Sequence, residues 1–338
     1  MWTLIHPKTT YFKSNSHTAK TPSPIRFTSV YATMAAPGMA DKYYDSFEKH
    51  THELATAVTA LFREPECCKA IAMLLKDSKP TAVISIGSAD GSEIISYGIY
   101  ASLNNIPFTD PQQLKFIAVE PHPGLHAVNK TGYLVCGGYE QEWVNQNILN
   151  GEWNKYLVYS KKPPKAYPEI LKDYPEMAEY THDSVAGISI GKGMEWYKVN
   201  RKTVPPVYVH KATMENYVKK PLTSHQRQIY ILANSWAYLV AKPTKNSQDI
   251  DYTCTPQQVE NFIDIIKNIK AQNKGKEVLM VLGAMEKRLL QERMPWLGEL
   301  VMEQGMKPLS SDELKQAGIS LDKEDMDELQ GKIWKLST

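Results

Sequence analysis

Hydrophobic positions along the chain follow two rhythms. Short, nearly continuous apolar runs occur at "TAVISI" (Thr81–Ile86), "LKFIAVE" (114–120), "RQIYILANSWAYLV" (227–240) and "EVLMVLGA" (277–284). Runs of this length between polar or turn residues mark strands buried on both faces. Between them, apolar residues recur every three or four positions. Phe47, Leu54, Val58, Leu61 and Phe62, and then Ala70, Ile71, Met73 and Leu74 beyond Pro65, predict helical structure over 41–77. A helix is expected over 94–103, followed by a loop with Asn104, Asn105, Pro107 and Pro111. The clearest helix is "TPQQVENFIDIIKNIKAQNKG". Thr255 can cap it, Val259, Phe262, Ile265, Ile266 and Ile269 form one face, and Gly275 ends it. Ser310 and Glu313 have capping-box spacing for a late helix, and "KIWKLS" (332–337) reads as a closing strand. The stretch "EWYKVNRKTVPPVYVHKAT" reads as a strand pair broken by Pro205 and Pro206.

Strands alternating with helices predict an α/β fold, a Rossmann-like sheet that is mostly parallel, with helices on both faces and an antiparallel hairpin at the C-terminal end. The expected organisation is an extension over 1–38, an N-terminal helical segment over 39–80, and a main domain over 81–338. Residues 138–185 are rich in Tyr, Trp, Pro and Lys without steady periodicity and read as an irregular insert.

Composition narrows the function classes. The chain has 338 residues, 42% of them hydrophobic and 22% charged, with a formal net charge of +2. Nothing here resembles the basic bias of a nucleic-acid binder, so no nucleic-acid partner is expected. No apolar run nears the roughly 18 residues of a membrane span, so no membrane partner is expected. The four cysteines, Cys67, Cys68, Cys136 and Cys254, make neither a disulfide framework nor a paired C-x-x-C metal site. Thiols in a reducing, cytoplasmic compartment are expected, and no metal. The N-terminal extension has no Asp or Glu before Asp41 and a single arginine, Arg26. It reads as disordered or dispensable; the alternative is a transit peptide for an organelle.

The segment "AVISIGSADGSEIISYGIY" carries candidate chemistry. Gly87 and Gly91 stand four apart where a strand becomes a helix. In doubly wound sheets, ligands bind at the carboxyl ends of strands, near the switch point in strand order. Glycine there admits close backbone approach, and an acid ending the next strand, here Glu120, can accept ribose hydroxyls. The dinucleotide fingerprint G-x-G-x-x-G is absent, because Ala89 stands at the middle glycine and the acid comes 33 residues after Gly87. No G-x-x-x-x-G-K-[ST] loop is present either. A nicotinamide oxidoreductase is therefore disfavoured. An adenosine cofactor without phosphate, S-adenosylmethionine, fits better. The alternative is a strand-to-helix turn that needs small residues for packing alone.

The surrounding blocks carry a family resemblance. "GSADGSEIIS" resembles the signature of the chemotaxis-receptor glutamate methyltransferases (the CheR family) at Gly87, Gly91, Glu93 and Ser96. "FIAVEPHPGLHAVNKTGY" resembles that family's next segment at Glu120, Leu125, Ala127, Gly132 and Tyr133. "WYKVNRKTVPPVYVHKATM" is similar to its strand pair, with Thr213 where asparagine is usual. "IYILANSWAYL" keeps Asn234 and Tyr238, "EVLMVLGAMEKRL" keeps Gly283 and Glu286, and "KIWKLS" is similar to the final strand. The blocks run in order from 81 to 338. Two positions depart, Ala233 for arginine and Gln228 for aspartate, and both are expected near the cofactor or acceptor mouth. The insert is foreign to the pattern, so a receptor-glutamate acceptor does not carry over.

The resemblance implies a class I methyltransferase that acts on a small molecule or a protein side chain. The alternative, motivated by Ala233 and Gln228, is a non-catalytic binding protein that keeps the fold. Gly87, Ser88 and Gly91 would contact the amino-acid part of the cofactor, Glu93 its ammonium and Glu120 its ribose. Pro121 or His122 would flank the adenine, Thr213 would meet its edge, and Asn234 would line the methyl side. A carboxylate acceptor needs no base; for an amine or hydroxyl, His122 and His210, each near a strand end, are the candidate catalytic bases. The insert aromatics Trp143, Trp153 and Tyr156 would form either an acceptor pocket or a satellite core.

Overall fold

The computed structural model describes residues 64–88, 91–136, 152–160, 162–175, 195–232, 242–243, 252–253, 255–283, 287 and 289–338. Strand β1 (Thr81–Ile86) is buried at all six positions. It lies between two parallel neighbours, β2 (Leu114–Val119) on one side and β7 (Arg227–Ile231) on the other. Outside β2 lies β6 (Val207–His210), and outside β7 lie β10 (Glu277–Val281), β12 (Ile333–Leu336) and β11 (Met306–Pro308). The sheet of seven strands is parallel except for β12, which runs antiparallel to both β10 and β11; β8 (Lys242–Pro243) and β9 (Tyr252–Thr253) form a separate antiparallel pair. The C-terminal antiparallel pairing is thus as expected. From β1 the chain builds outward first to β2 and β6 and then, in the opposite direction, to β7 and β10. The switch point lies between β1 and β7.

Alternate side chains of the strands serve two cores. Ala82, Ile84 and Ile86 of β1, with Tyr230, Met280 and Trp334, face α5 (Met214–Lys219), α6 (Pro256–Gln272) and α7 (Pro295–Glu303). Val83, with Phe116, Ile229, Leu279 and Ile333, faces α1 (Pro65–Leu74), α2 (Ser92–Leu103), α8 (Ser311–Gln316) and α9 (Lys323–Leu329). Two covered faces explain why the strands read as unbroken apolar runs. The long helix α6 starts with the expected capping box, Thr255 with Gln258, and Ser310 with Glu313 forms another at α8.

Two expectations need correction. The stretch 195–210 does contain two strands, but they do not pair with each other. Strand β5 (Glu195–Val199) lies at the centre of a second, antiparallel sheet between β3 (Tyr133–Cys136) and β4 (Leu157–Ser160), while β6 joins the main sheet. The turn at 200–203 and the two prolines, which lack N–H donors, separate the sheets. The insert is also more regular than its composition suggested. Within it, β4 and helix α4 (Tyr167–Asp173) are formed, and Tyr156 and Tyr167 are buried, as is Trp196 of β5. Tyr167 and Trp196 meet edge to face with centroids 4.6 Å apart, against Leu125 and Val128 of α3 (Pro123–Thr131). This is a satellite core built around aromatic residues. Trp143 and the side chain of Trp153 lie outside the described residues.

Helix α1 is fastened at two ends. At its C-terminal end the buried Arg227 guanidinium donates to the Leu74 carbonyl (3.0 Å), to Asp77 and to Glu277 (2.9 Å). At its N-terminal end the buried Lys332 ammonium lies 2.6 Å from Glu66. Among the described residues, no helix is long and apolar enough to cross a membrane.

Candidate functional site

At the carboxyl end of β1 the chain turns at Gly87, with φ of 66°. The N–H groups of Gly87 and Ser88 both donate to the Val119 carbonyl at the end of β2, at 2.8 and 3.1 Å. The next residue, Glu120, donates its own N–H to the carbonyl of His210, the last residue of β6, at 3.0 Å. Three strand ends are laced together, so the glycine turn, Glu120 and His210 form one row despite their separation in sequence. Gly91 closes the turn by donating to the Ser88 carbonyl at 2.7 Å and then caps α2, with φ of 86°. A Cβ on Gly91 would lie 2.1 Å from Asn129 Oδ1, on the last turn of α3. Glycine is therefore required at 91 by both backbone and packing, whatever binds nearby. Ala89 and Asp90 lie outside the described residues.

The amides of Gly87, Ser88 and Gly91 bear on the class of cofactor. A phosphate cradle needs N–H groups pointing outward from the turn. Here the N–H groups of Gly87, Ser88 and Gly91 are all taken by backbone carbonyls. Glu93 adds a negative charge in the first turn of α2, where an incoming phosphate would meet repulsion. Ser85 donates its hydroxyl to Glu93 Oε2 at 3.3 Å and so orients this carboxylate. Sequence reasoning did not single out Ser85 or Asn129. The Ser88 hydroxyl is buried and has no hydrogen-bond partner among the described residues. An orphaned buried hydroxyl costs about 1–3 kcal/mol, which a polar ligand atom would relieve.

Glu120 is fully buried, and its Oε1 accepts the His122 N–H at 2.8 Å. A ribose reaches this carboxylate only when the groups covering it move aside. Pro121 follows, half-buried. His122 caps α3: its Nδ1 accepts the N–H groups of Gly124 (3.1 Å) and Leu125 (3.3 Å). That bonding puts the ring proton on Nε2, so the imidazole is a donor here, contrary to the expectation of a base. Thr213 caps α5 by accepting the Asn216 N–H at 3.3 Å, a bond that leaves its own O–H proton to donate. His210 stands edge-on to Tyr217, with centroids 5.7 Å apart, and burial holds its imidazole below the ordinary histidine value. It is neutral at pH 7 and retains the capacity to take a proton. Asn234, Ala233, Tyr238 and Glu286 lie outside the described residues.

Gln228 was expected near the cofactor mouth. It is instead the second residue of β7, in register with Ala82 near the start of β1. The site lies at the other, carboxyl end of these strands, roughly 13 Å away at about 3.3 Å per residue. Gln228 accepts from the Tyr230 hydroxyl at 3.2 Å and donates to the Thr223 carbonyl at 3.3 Å. It is a buried structural group and does not argue for lost chemistry. Among the described residues, Glu64, Glu66 and Cys67 come within 4.8 Å of one another in a metal-like grouping. The Lys332 ammonium already supplies the positive charge, 2.6 Å from Glu66 and 4.0 Å from Glu64.

No protein-family model and no curated protein matches the chain. Among solved structures the chain is similar to a TehB-like SAM-dependent methyltransferase from Corynebacterium glutamicum, at 8% identity and a TM-score of 0.32, over 87% of this chain and 96% of that one. It is also similar to protein LPL1258 from Legionella pneumophila, at 8% identity and a TM-score of 0.28, over 81% and 84%. The fold assignment rests on this chain's own strand order. A sheet parallel but for β12, covered on both faces and reversing between β1 and β7, is a doubly wound, Rossmann-like sheet.

Proposed function

We propose that the chain is an S-adenosylmethionine-dependent methyltransferase acting on a small molecule or a protein side chain. One observation carries this assignment: the hydrogen bonds of Gly87 and Ser88 to Val119 set the glycine turn directly beside Glu120, while leaving no outward amide on Gly87, Ser88 or Gly91 for phosphate. A nucleoside cofactor lacking phosphate satisfies both halves of that geometry. The ordered blocks that resemble the CheR family support the same class. The family's own acceptor does not follow from them.

The cofactor supplies an electrophilic methyl group. The chain's part is to bind, orient and exclude water. Gly87 lets the backbone approach the amino-acid end, Gly91 closes the turn beside it, and the Ser88 hydroxyl gives it a buried partner. Glu93, oriented by Ser85, takes the ammonium, and Glu120 takes the ribose once uncovered. Pro121 flanks the adenine. Asn234 lines the methyl side, and His210 accepts a proton from an amine or hydroxyl acceptor. On cysteine usage the setting is cytoplasmic.

Glu120→Ala tests the assignment. Loss of a charged acceptor should weaken S-adenosylmethionine binding by roughly 1–3 kcal/mol. Unchanged affinity would remove Glu120 from the site. Release of S-adenosylhomocysteine over a panel of acids, amines and alcohols tests turnover separately. Binding with no product from any acceptor would favour the non-catalytic alternative.

A further inference from the structure

The Gly132–Tyr133 pair singled out in the sequence has no role in the chemistry above. It lines a cavity of about 110 Å³ bounded by the first turn of α2, the end of α3 and the connection from β5 to β6. Arg201 stands at its rim, and Ile95, Val199 and Val207 form an apolar wall. Gly132 has φ of 72°, and a Cβ there would lie 2.9 Å from Arg201 Nη2. The missing side chain is what allows the guanidinium to lie against the end of α3. Among the described residues, Arg201 has no ion pair or hydrogen bond. Its sequence neighbourhood is one-sided: 125–136 and 196–211 hold Lys130, Lys198, Arg201, Lys202 and Lys211, and no Asp or Glu.

We propose that this cavity binds a small aliphatic carboxylate, held by the planar fork of Arg201 and the Tyr133 hydroxyl, with its alkyl part on Ile95, Val199 and Val207. A planar, bidentate anion suits a guanidinium, and a short chain suits a cavity of this volume. The apolar wall favours an alkyl carboxylate over inorganic phosphate. The site is distinct from the glycine turn but touches it, because Asn129 both lines the cavity and packs on Gly91. Occupancy would therefore be felt at the turn.

The test is a protein-detected NMR titration of the full chain with sodium butyrate at constant ionic strength, with butanol and inorganic phosphate in parallel. Saturable shifts centred on 132–133 and 199–207, extending through Ile95 and Asn129 to Gly91 and absent with butanol, are expected. Arg201→Gln should weaken butyrate binding about tenfold, the loss of a charge-assisted pair. Arg201 is exposed, so the substitution leaves the fold intact; Tyr133→Phe should weaken binding by a smaller factor. Absence of saturable shifts, an unchanged affinity in Arg201→Gln, or tighter binding of phosphate than of butyrate would each overturn the proposal.

Discussion

Gly91→Ala isolates why a glycine stands at the start of α2. Its φ of 86° lies in the left-handed region, and the new methyl carbon would lie 2.1 Å from Asn129 Oδ1. The left-handed conformation costs an alanine about 1–2 kcal/mol. Asn129 must also swing away, which costs about 1 kcal/mol in lost contact and hydrogen bonding. The expected loss of stability is therefore about 2–3 kcal/mol in urea denaturation at pH 7. The two parts separate in a cycle. In an Asn129→Ala background the collision is gone, so Gly91→Ala should there cost only about 1–2 kcal/mol, from the backbone. A Gly91→Ala variant within about 0.5 kcal/mol of wild type would refute the reasoning. So would a Gly91→Ala change that costs as much in the Asn129→Ala background as in the wild type.

Two further perturbations probe the fastening of α1. Lys332→Met leaves Glu66 buried without its cation and should cost about 3–5 kcal/mol at neutral pH, and adding Glu66→Leu should return most of it; a double variant as unstable as the single one would contradict this. Arg227→Met should produce a pH-dependent loss. Burial alone would raise the Asp77 and Glu277 carboxyls, but hydrogen bonds from Arg227, joined by Lys79, outweigh it and hold both below ordinary values. Carboxyls held low in the folded state contribute fully above their unfolded values, near about 4, and that contribution is lost as pH falls through the lowered folded values. The difference in unfolding free energy between wild type and variant should be steady from about pH 5 to 8 and narrow below about pH 4. A difference that persists unchanged to about pH 3 would be the contrary result.

What was legible in the sequence depended on how much of each element's pattern is local. The four inner strands announce themselves because each is buried on both faces, and α6 does so because Thr255, Gln258 and its apolar face lie within the helix itself. The helix α3 is harder to see: it has a proline at its first position and Gly132 past its end, but only Gly124, Leu125 and Val128 are buried, and its cap is a histidine. The second sheet is invisible to periodicity because β3 and β5 find each other across more than fifty residues, and their partners are fixed by tertiary contact. At the site, Gly87, Gly91 and Glu120 carry local signals. The capping roles of His122 and Thr213, the packing of Asn129 on Gly91, and the distance of Gln228 from the mouth are properties of the assembled fold.

Isothermal titration of the full chain with S-adenosylmethionine and S-adenosylhomocysteine, with NAD as the control, tests the central claim most directly. Saturable micromolar binding of the first two and none of NAD is the expected result. Binding of NAD, or of none of the three, would contradict it and return Gly87 and Gly91 to a purely structural turn.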